Sequence, residues 1–496
     1  MTYHETAPTG AGGGTPSALS VLRSPALLTR EVLAGVVTAL ALVPEVISFS
    51  FISGVDPKTA LVASVVMCLI MSVIGGRPAM VTAAAGSIAL VIGPMVHQHG
   101  VGYILPTILL AGAIQIAFGL CGLARLMRFI PRSVMIGFVN ALGILIFMAQ
   151  VPHVLGGSPA VYAMLLLTLA IVLVLPRFTT AVPSALVAIV LVTAIAVFAG
   201  VNVPNVGAEG EMSPGLPGLT ELTVPLDMAT LAIIWAPALS VAFVGLLESL
   251  LTAKLVDEIT DTRSHKGQES WSLGVANIAA GFYGGIAGCA MIGQTVVNVK
   301  IGGGRSRVST FVAGLVLLAL VTILSGVMAR IPMVALAGVM MVVAVQTMDW
   351  HSVRPATLRL MPLPETLVMV ATVVLTVVTH NLAIGVIGGA VMAVLFFARR
   401  VAHVIEVRRS PDGARYEVEG PLFFGSSNDL FEQFRYADDP ARVTVDLARA
   451  QIWDASTVAA LDSIRSRYAD HGTEVTFTGL DTRSAIFHDR LSGRLG

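Results

Sequence analysis

The sequence predicts a polytopic α-helical membrane protein of about fourteen spans, in two halves of about seven, followed by a small soluble α/β domain. Three observations carry this expectation. Only 12% of the 496 residues are charged and 55% are hydrophobic, whereas a soluble domain carries about 25% charged residues. From about residue 30 to about residue 400 the chain is a series of apolar runs with short breaks, and mean hydropathy is +0.84. The residues after 410 change to an ordinary soluble composition in which strand and helix patterns alternate.

The same numbers exclude several function classes. Net charge is zero and aromatics are 6%, so neither a phosphate-binding surface nor a base-stacking one is expected, and nucleic acid is not a partner. Cys68, Cys121 and Cys289 fall in separate apolar runs. They predict no disulfide framework, no metal site and no cofactor. No Gly-Lys-Ser/Thr phosphate loop is present, so ATP-driven pumping lacks its site. No nucleophile–base pair stands out, and an enzyme is not expected.

Residues 1–29 read as a disordered tail. The stretch Gly10-Ala11-Gly12-Gly13-Gly14-Thr15-Pro16 has neither the basic region nor the apolar core of a signal peptide. The membrane region then covers 30–405, with halves at about 30–200 and 228–405. Its candidate spans are 32–53, 59–75, 79–97, 102–122, 133–151, 159–175, 181–200, 228–256, 268–286, 288–301, 309–329, 332–348, 364–380 and 382–400. The segments 79–97 and 288–301 are short, broken by glycine, and third in their respective halves.

Loop charge orients the spans. One set of loops carries Arg77; Arg125, Arg128 and Arg132; Arg177; Arg263 and Lys266; Arg305 and Arg307; Arg354 and Arg359; Arg399 and Arg400. The other set has only Lys58 and Arg330, and its longest member, 201–227, carries Glu209, Glu211, Glu221 and Asp227. Basic loops stay in the cytoplasm. Both termini are therefore expected inside, in an inner (plasma) membrane of bacterial type.

Short glycine-broken segments at matching positions of two halves mark an inverted-repeat transporter. Their half-helix N-termini would present amide groups and a positive dipole end to an anion. Small residues in Val81-Thr82-Ala83-Ala84-Ala85-Gly86-Ser87 and in Gly288-Cys289-Ala290-Met291-Ile292-Gly293-Gln294 would let a ligand approach the backbone; close helix packing is the alternative explanation. Ionisable groups inside a span suggest function. Glu45 follows Pro44 in the first span and can carry a coupling proton, or simply bond a neighbouring helix. Glu248 lies one turn before Thr252 on one helix face, a pair that can hold a proton or a sodium ion, or make a helix–helix contact. Lys300, His97, His99 and His380 read as surface residues.

Residues 410–496 form the soluble domain. Strand patterns occupy 415–420, 443–447 and 474–478, and Val458, Leu461, Ile464 and Tyr468 line one face of a helix over 456–471.

These features together resemble the sulfate permease (SulP) family of anion transporters, over the whole chain after residue 30. Pro44 before a polar residue, with Gly54 after Phe51-Ile52-Ser53, is similar to the family's opening motif. The stretch from Gly288 to Gly304, with Gln294-Thr295-Val296-Val297-Asn298 and Gly302-Gly303-Gly304, looks like its tenth-helix motif. The resemblance implies a seven-plus-seven inverted repeat shared with uracil permeases, in which a core moves against a gate. It implies an anion held between the ends of the third and tenth helices, beside Glu45, by Ala85, Gly86 and Ser87 and by Met291, Ile292, Gly293 and Gln294. In bicarbonate-transporting relatives an acidic residue and a Thr one turn later on the eighth helix help bind sodium; Glu248 and Thr252 match in kind, with Glu in place of Asp. The family often has Gln where this chain has Glu45, and its animal members often have Arg at Gln294. Homodimers are usual in it. The Pro421-Leu422-Phe423-Phe424-Gly425 turn and Asp454-Ala455-Ser456-Thr457 resemble the STAS domain shared with anti-sigma-factor antagonists. Ser456 then stands where that module can be phosphorylated; a helix N-cap is its plainer role. The expected function is coupled symport of a small anion such as sulfate, bicarbonate or a dicarboxylate, with H+ or Na+ as the coupling ion. A passive exchanger or channel, a sensor, and a nucleobase permease on the same fold are the alternatives.

Overall fold

Proline and glycine set the ends of the membrane helices. The first, α1 (Pro25–Ser53), opens on a proline, which needs no N–H partner there, and closes on Gly54 in the left-handed conformation. α2 (Pro57–Ile74) also opens on a proline. In the computed structural model, residues 16–122, 130–179, 183–210, 215, 218–402 and 405–494 are described. Residues 1–15 of the expected tail, the loop arginines Arg125 and Arg128, and Glu211 lie outside them. Helix already occupies Ala18–Leu22 and α1 starts at Pro25, so the second half of the segment read as a disordered tail is helical. Pro44 sits inside α1 without ending it.

The remaining first-half segments are β1 (Thr82–Ala84) with α3 (Gly86–His99), α4 (Ile104–Leu120), α5 (Arg132–Gln150), α6 (Pro159–Val174) and α7 (Ser184–Phe198). The second half comprises α8 (Met228–Thr260), α9 (Lys266–Gly281), β2 (Gly288–Ala290) with α10 (Ile292–Val296), α11 (Arg307–Ile323), α12 (Met333–Thr347), α13 (Leu363–Thr379) and α14 (Leu382–Ala402). After α10 the chain continues as a π-helical turn, Val297–Ile301. A helical segment falls within each predicted stretch, and seven of the described helices are long and apolar enough to cross a membrane, but 79–97 and 288–301 begin as strands.

The halves interlock. α1 and α2 pack on α11, α4 packs on α8 and α9, while α5, α6 and α7 pack on α12 and α5 also packs on α13. α4 and α9 approach closely. A Cβ at Gly112 would lie 2.7 Å from the Gly274 carbonyl oxygen, so only glycine lets these backbones touch. Ions lock one end of the bundle. Glu31 of α1 accepts from the N–H groups of Arg305 (2.7 Å), Ser306 (3.1 Å) and Ser309 (3.2 Å) at the start of α11. Glu269 of α9 accepts from the Gly76 and Arg77 N–H groups (2.7 and 3.0 Å). The buried Arg77 side chain pairs with Asp257 at 2.9 Å. Arg77 is thus a bridge between the halves, beyond the loop charge read from sequence.

The described residues divide into two compact units between Gly389 and Ala390, inside α14. The C-terminal unit holds a four-stranded sheet, β3 (Glu406–Arg409), β4 (Arg415–Leu422), β5 (Arg442–Ile452) and β6 (Glu474–Thr478), in the order β3-β4-β5-β6. β3 pairs antiparallel and the other neighbours pair parallel. α15 (Ser427–Glu432) and α16 (Ala455–Asp470) are the crossovers that parallel neighbours require, and α17 (Thr482–Leu491) follows β6. Leu461, Ile464 and Tyr468 of α16 pack on Tyr416, Val418 and Val445, as the helical spacing predicted. The buried Asp439 carboxylate accepts from the Tyr416 and Tyr468 hydroxyls (2.6 and 2.5 Å) and from Arg409 at 2.6 Å.

Candidate functional site

The site is built where the two halves meet through their shortest strands. β1 and β2 pair antiparallel, Thr82 opposite Ala290 and Ala84 opposite Gly288. Each strand runs directly into a half-helix, so the N-termini of α3 and α10 emerge from one crossing. A Cβ at Gly288 would clash with the Ala83 carbonyl oxygen, which makes glycine obligatory. Side chains from the surrounding helices take up the backbone groups that so short a ladder leaves over. Ser64 accepts from Ala84 N–H (3.1 Å), Ser249 from Ala290 N–H (3.0 Å) and Thr295 from Val81 N–H (3.0 Å). Asn277 of α9 accepts from Gly288 N–H (2.8 Å) and donates to Gly288 O (3.2 Å) and to Gln115 of α4 (2.9 Å). In lipid, with no water to substitute, such groups must be satisfied internally.

The two half-helix ends differ. Ala85, Gly86 and Ser87, at the start of α3, are all buried, and Gly86 lies against the Phe49 ring of α1. At the start of α10, Met291 and Gln294 are buried but Ile292 and Gly293 are exposed, and a Cβ on Gly293 would meet nothing within 4 Å. Accessible space thus reaches the α10 end alone. Glu45, half-buried on α1, faces the Gln294 side chain. The structure therefore places Glu45 and Gln294 next to the opening at Gly293.

Glu248 stands apart from that opening. Its buried carboxylate accepts from the Ser87 hydroxyl and from the Cys289 thiol (2.6 Å), one from each half-helix segment. Thr252 does not join it: the Thr252 hydroxyl donates to the backbone oxygen of Glu248 (2.8 Å) and to Ala290 O (3.3 Å). The shared helix face is as expected, but the Thr252 hydroxyl turns toward backbone and away from the carboxylate. Among the described residues no group of three His, Cys, Asp or Glu side chains could hold a metal. Sequence reasoning missed Cys289 as the Glu248 partner, and missed Asn277 and Gln115 altogether. The signal for the last two was present, since both are amides inside apolar runs. In the C-terminal unit, Asp454 is the N-cap of α16, its carboxylate accepting from Thr457 N–H at 3.0 Å. Ser456 is exposed one residue into the helix and makes no cap.

Comparison with known proteins agrees with this architecture. The sulfate permease family profile matches residues 28–164 and 158–372, and the STAS domain profile matches residues 404–488. YbaR of Bacillus subtilis, whose name assigns it to sulfate transport, is 49% identical over 459 residues, covering 92% of this chain and 95% of YbaR. The bicarbonate transporter BicA of Synechocystis is 24% identical, covering 91% of this chain and 88% of BicA. Among solved structures, the transmembrane domain of a cyanobacterial BicA matches with a TM-score of 0.65 at 25% identity, over 72% of this chain and 97% of that one. The murine Slc26a9 anion transporter matches in fold with a TM-score of 0.81 at 16% identity, over 93% of this chain and 87% of that one. The chain belongs to the sulfate permease family, a family of membrane transporters, and carries a STAS domain at its C-terminal end.

Proposed function

We propose that the protein is a proton-coupled symporter of a small inorganic anion of the sulfate or bicarbonate class, with Glu45 as the coupling group. The observation that carries this reading is the contact between Glu45 and Gln294 at the accessible end of α10. An anion there meets backbone amides and the positive end of the helix dipole, but also a carboxyl. Two unit negative charges about 4 Å apart at an effective dielectric of about 20 repel by roughly 4 kcal/mol, near a thousandfold in affinity. Anion and proton must therefore arrive together: protonated Glu45 turns from a repelling charge into a donor, and loss of its proton expels the anion. Binding of one is linked to binding of the other. Glu248, closed in by Ser87 and Cys289, ties α8 to both half-helix segments and keeps the ends aligned. The family resemblance adds a homodimer as the working assembly, and the arginine-rich loops support cytoplasmic termini.

The test is uptake by purified protein in liposomes. Labelled sulfate and bicarbonate are offered with and without inward proton and sodium gradients. Proton-driven accumulation of one anion is expected, and Glu45→Gln should abolish accumulation while leaving the protein folded. Accumulation that survives Glu45→Gln sinks the assignment. Dependence on sodium alone moves coupling to the region of Glu248 and Thr252. Equilibration indifferent to both gradients leaves a facilitator or exchanger.

A further inference from the structure

A groove outside the anion site runs along α7 where it meets α1 and α11. It encloses about 370 Å3, and its walls are apolar, with Leu40, Val43 and Pro44 contributed by α1 and Val197 by α7. Two polar groups interrupt them. Arg330, just beyond α11, is exposed, and among the described residues its guanidinium has no hydrogen-bond or ion-pair partner. The Thr193 hydroxyl on α7 is shut off from water and unpartnered, an unusual state for a buried donor.

These groups stand in a fixed order. The segment around Arg330 is tied to the chain just after α7, because Val206 N–H donates to Ile331 O (2.9 Å) and Gly207 N–H to Ala329 O (2.8 Å). Arg330 and Phe198, the last residue of α7, line the same groove, which puts Arg330 at the mouth by that end of the helix. Thr193 lies five residues before Phe198, the last residue of α7, hence roughly 7 Å deeper at about 1.5 Å per residue. Cation, hydroxyl donor and apolar floor follow one another as phosphate, ester oxygen and acyl chain do along a phospholipid.

We infer that this groove binds one anionic phospholipid. Its phosphate sits on Arg330, the Thr193 side chain rotates out of its closed position to donate to an ester oxygen, and an acyl chain lies on Leu40, Val43 and Pro44. Charge singles out the anionic class: Arg330 is one of only two basic residues in a set of loops otherwise free of Lys and Arg. The floor is the back of the helix that carries Glu45, so an occupied groove braces α1 against α7.

The test is native mass spectrometry of the full-length protein in detergent. It is incubated with equal amounts of phosphatidylglycerol and phosphatidylcholine of the same chain length. One phosphatidylglycerol per chain should be retained in preference. Arg330→Gln should lower that retention about fivefold, the factor that ~1 kcal/mol per basic residue near an anionic surface implies, and leave phosphatidylcholine unchanged. Ala194→Trp, which fills the groove from α7, should remove both lipids while thermal unfolding shows an intact fold. Equal retention of the two lipids, or undiminished phosphatidylglycerol in Arg330→Gln, overturns the inference. So does lipid that persists in Ala194→Trp, or a dimer that this variant splits with lipid unchanged, which would make a second copy the occupant.

Discussion

Replacing Asn277 with alanine tests whether the strand crossing is held from α9. The side chain makes three hydrogen bonds, two to Gly288 and one to Gln115. Interhelical hydrogen bonds in membrane bundles average about 0.6 kcal/mol, so their loss alone amounts to roughly 2 kcal/mol. The Gly288 N–H is then left without its partner in a dry interior, and an orphaned buried donor costs ~1–3 kcal/mol. A total of about 3–5 kcal/mol is expected. Gln115 sharpens the test. Its Nε2 already lacks a partner, so after Asn277→Ala its whole amide is stranded. The double variant Asn277→Ala/Gln115→Leu removes that stranded group and should recover part of the loss, a non-additivity expected of contacting residues. Thermal unfolding in detergent measures both variants, with uptake as the second readout. A single variant within ~0.5 kcal/mol of wild type, or a double variant no better than the single, would refute the bracing role.

Further outcomes follow from other positions. Gly288→Ala drives a methyl into the Ala83 carbonyl and should cost ~1–3 kcal/mol or more along with uptake, whereas Gly293→Ala, which meets open space, should fold normally; equal stability of the two variants would contradict the geometry. In the C-terminal unit, burial holds the Tyr436 phenol up at about 12, and burial reinforced by Asp439 raises those of Tyr416 and Tyr468. A raised folded-state value means stability that is complete below the unfolded value of about 10 and drains away as pH climbs past it. Spectrophotometric titration should find these three tyrosines silent near pH 10 until the domain unfolds; ionisation of all tyrosines together in an intact fold would count against the buried network.

Much of the architecture was legible because the bilayer imposes it. Span lengths, the broken third segments and the strand patterns of the tail follow from hydrophobic periodicity, which needs no knowledge of distant contacts. Of the candidate site, Glu45 and Gln294 could be singled out, since a carboxyl in a span and a glycine-broken segment each announce themselves locally. What stayed hidden depends on partners far along the chain. Glu248 is aimed at Ser87 and Cys289, 161 and 41 residues away, while its apparent partner Thr252 bonds backbone. Arg77 looked like a loop charge and is a buried bridge to Asp257, because a loop residue's environment is decided by the other half of the molecule. Ser456 and Asp454 were separated only by cap geometry, which two residues of ambiguity in a helix start conceal.

The pairing of β1 with β2 also has a consequence for biosynthesis. The two strands lie roughly two hundred residues apart, so a ribosome working at ~5–20 residues per second needs on the order of 10–40 s to supply the second after the first. During that interval β1 is in or near the membrane with its partner unmade, exposing polar backbone that lipid cannot satisfy. The first half can insert, yet it cannot finish its own centre. Cells making this protein must shelter an incomplete half for that time, and a chain stalled in the 201–227 loop is left with an open strand edge for quality control to find.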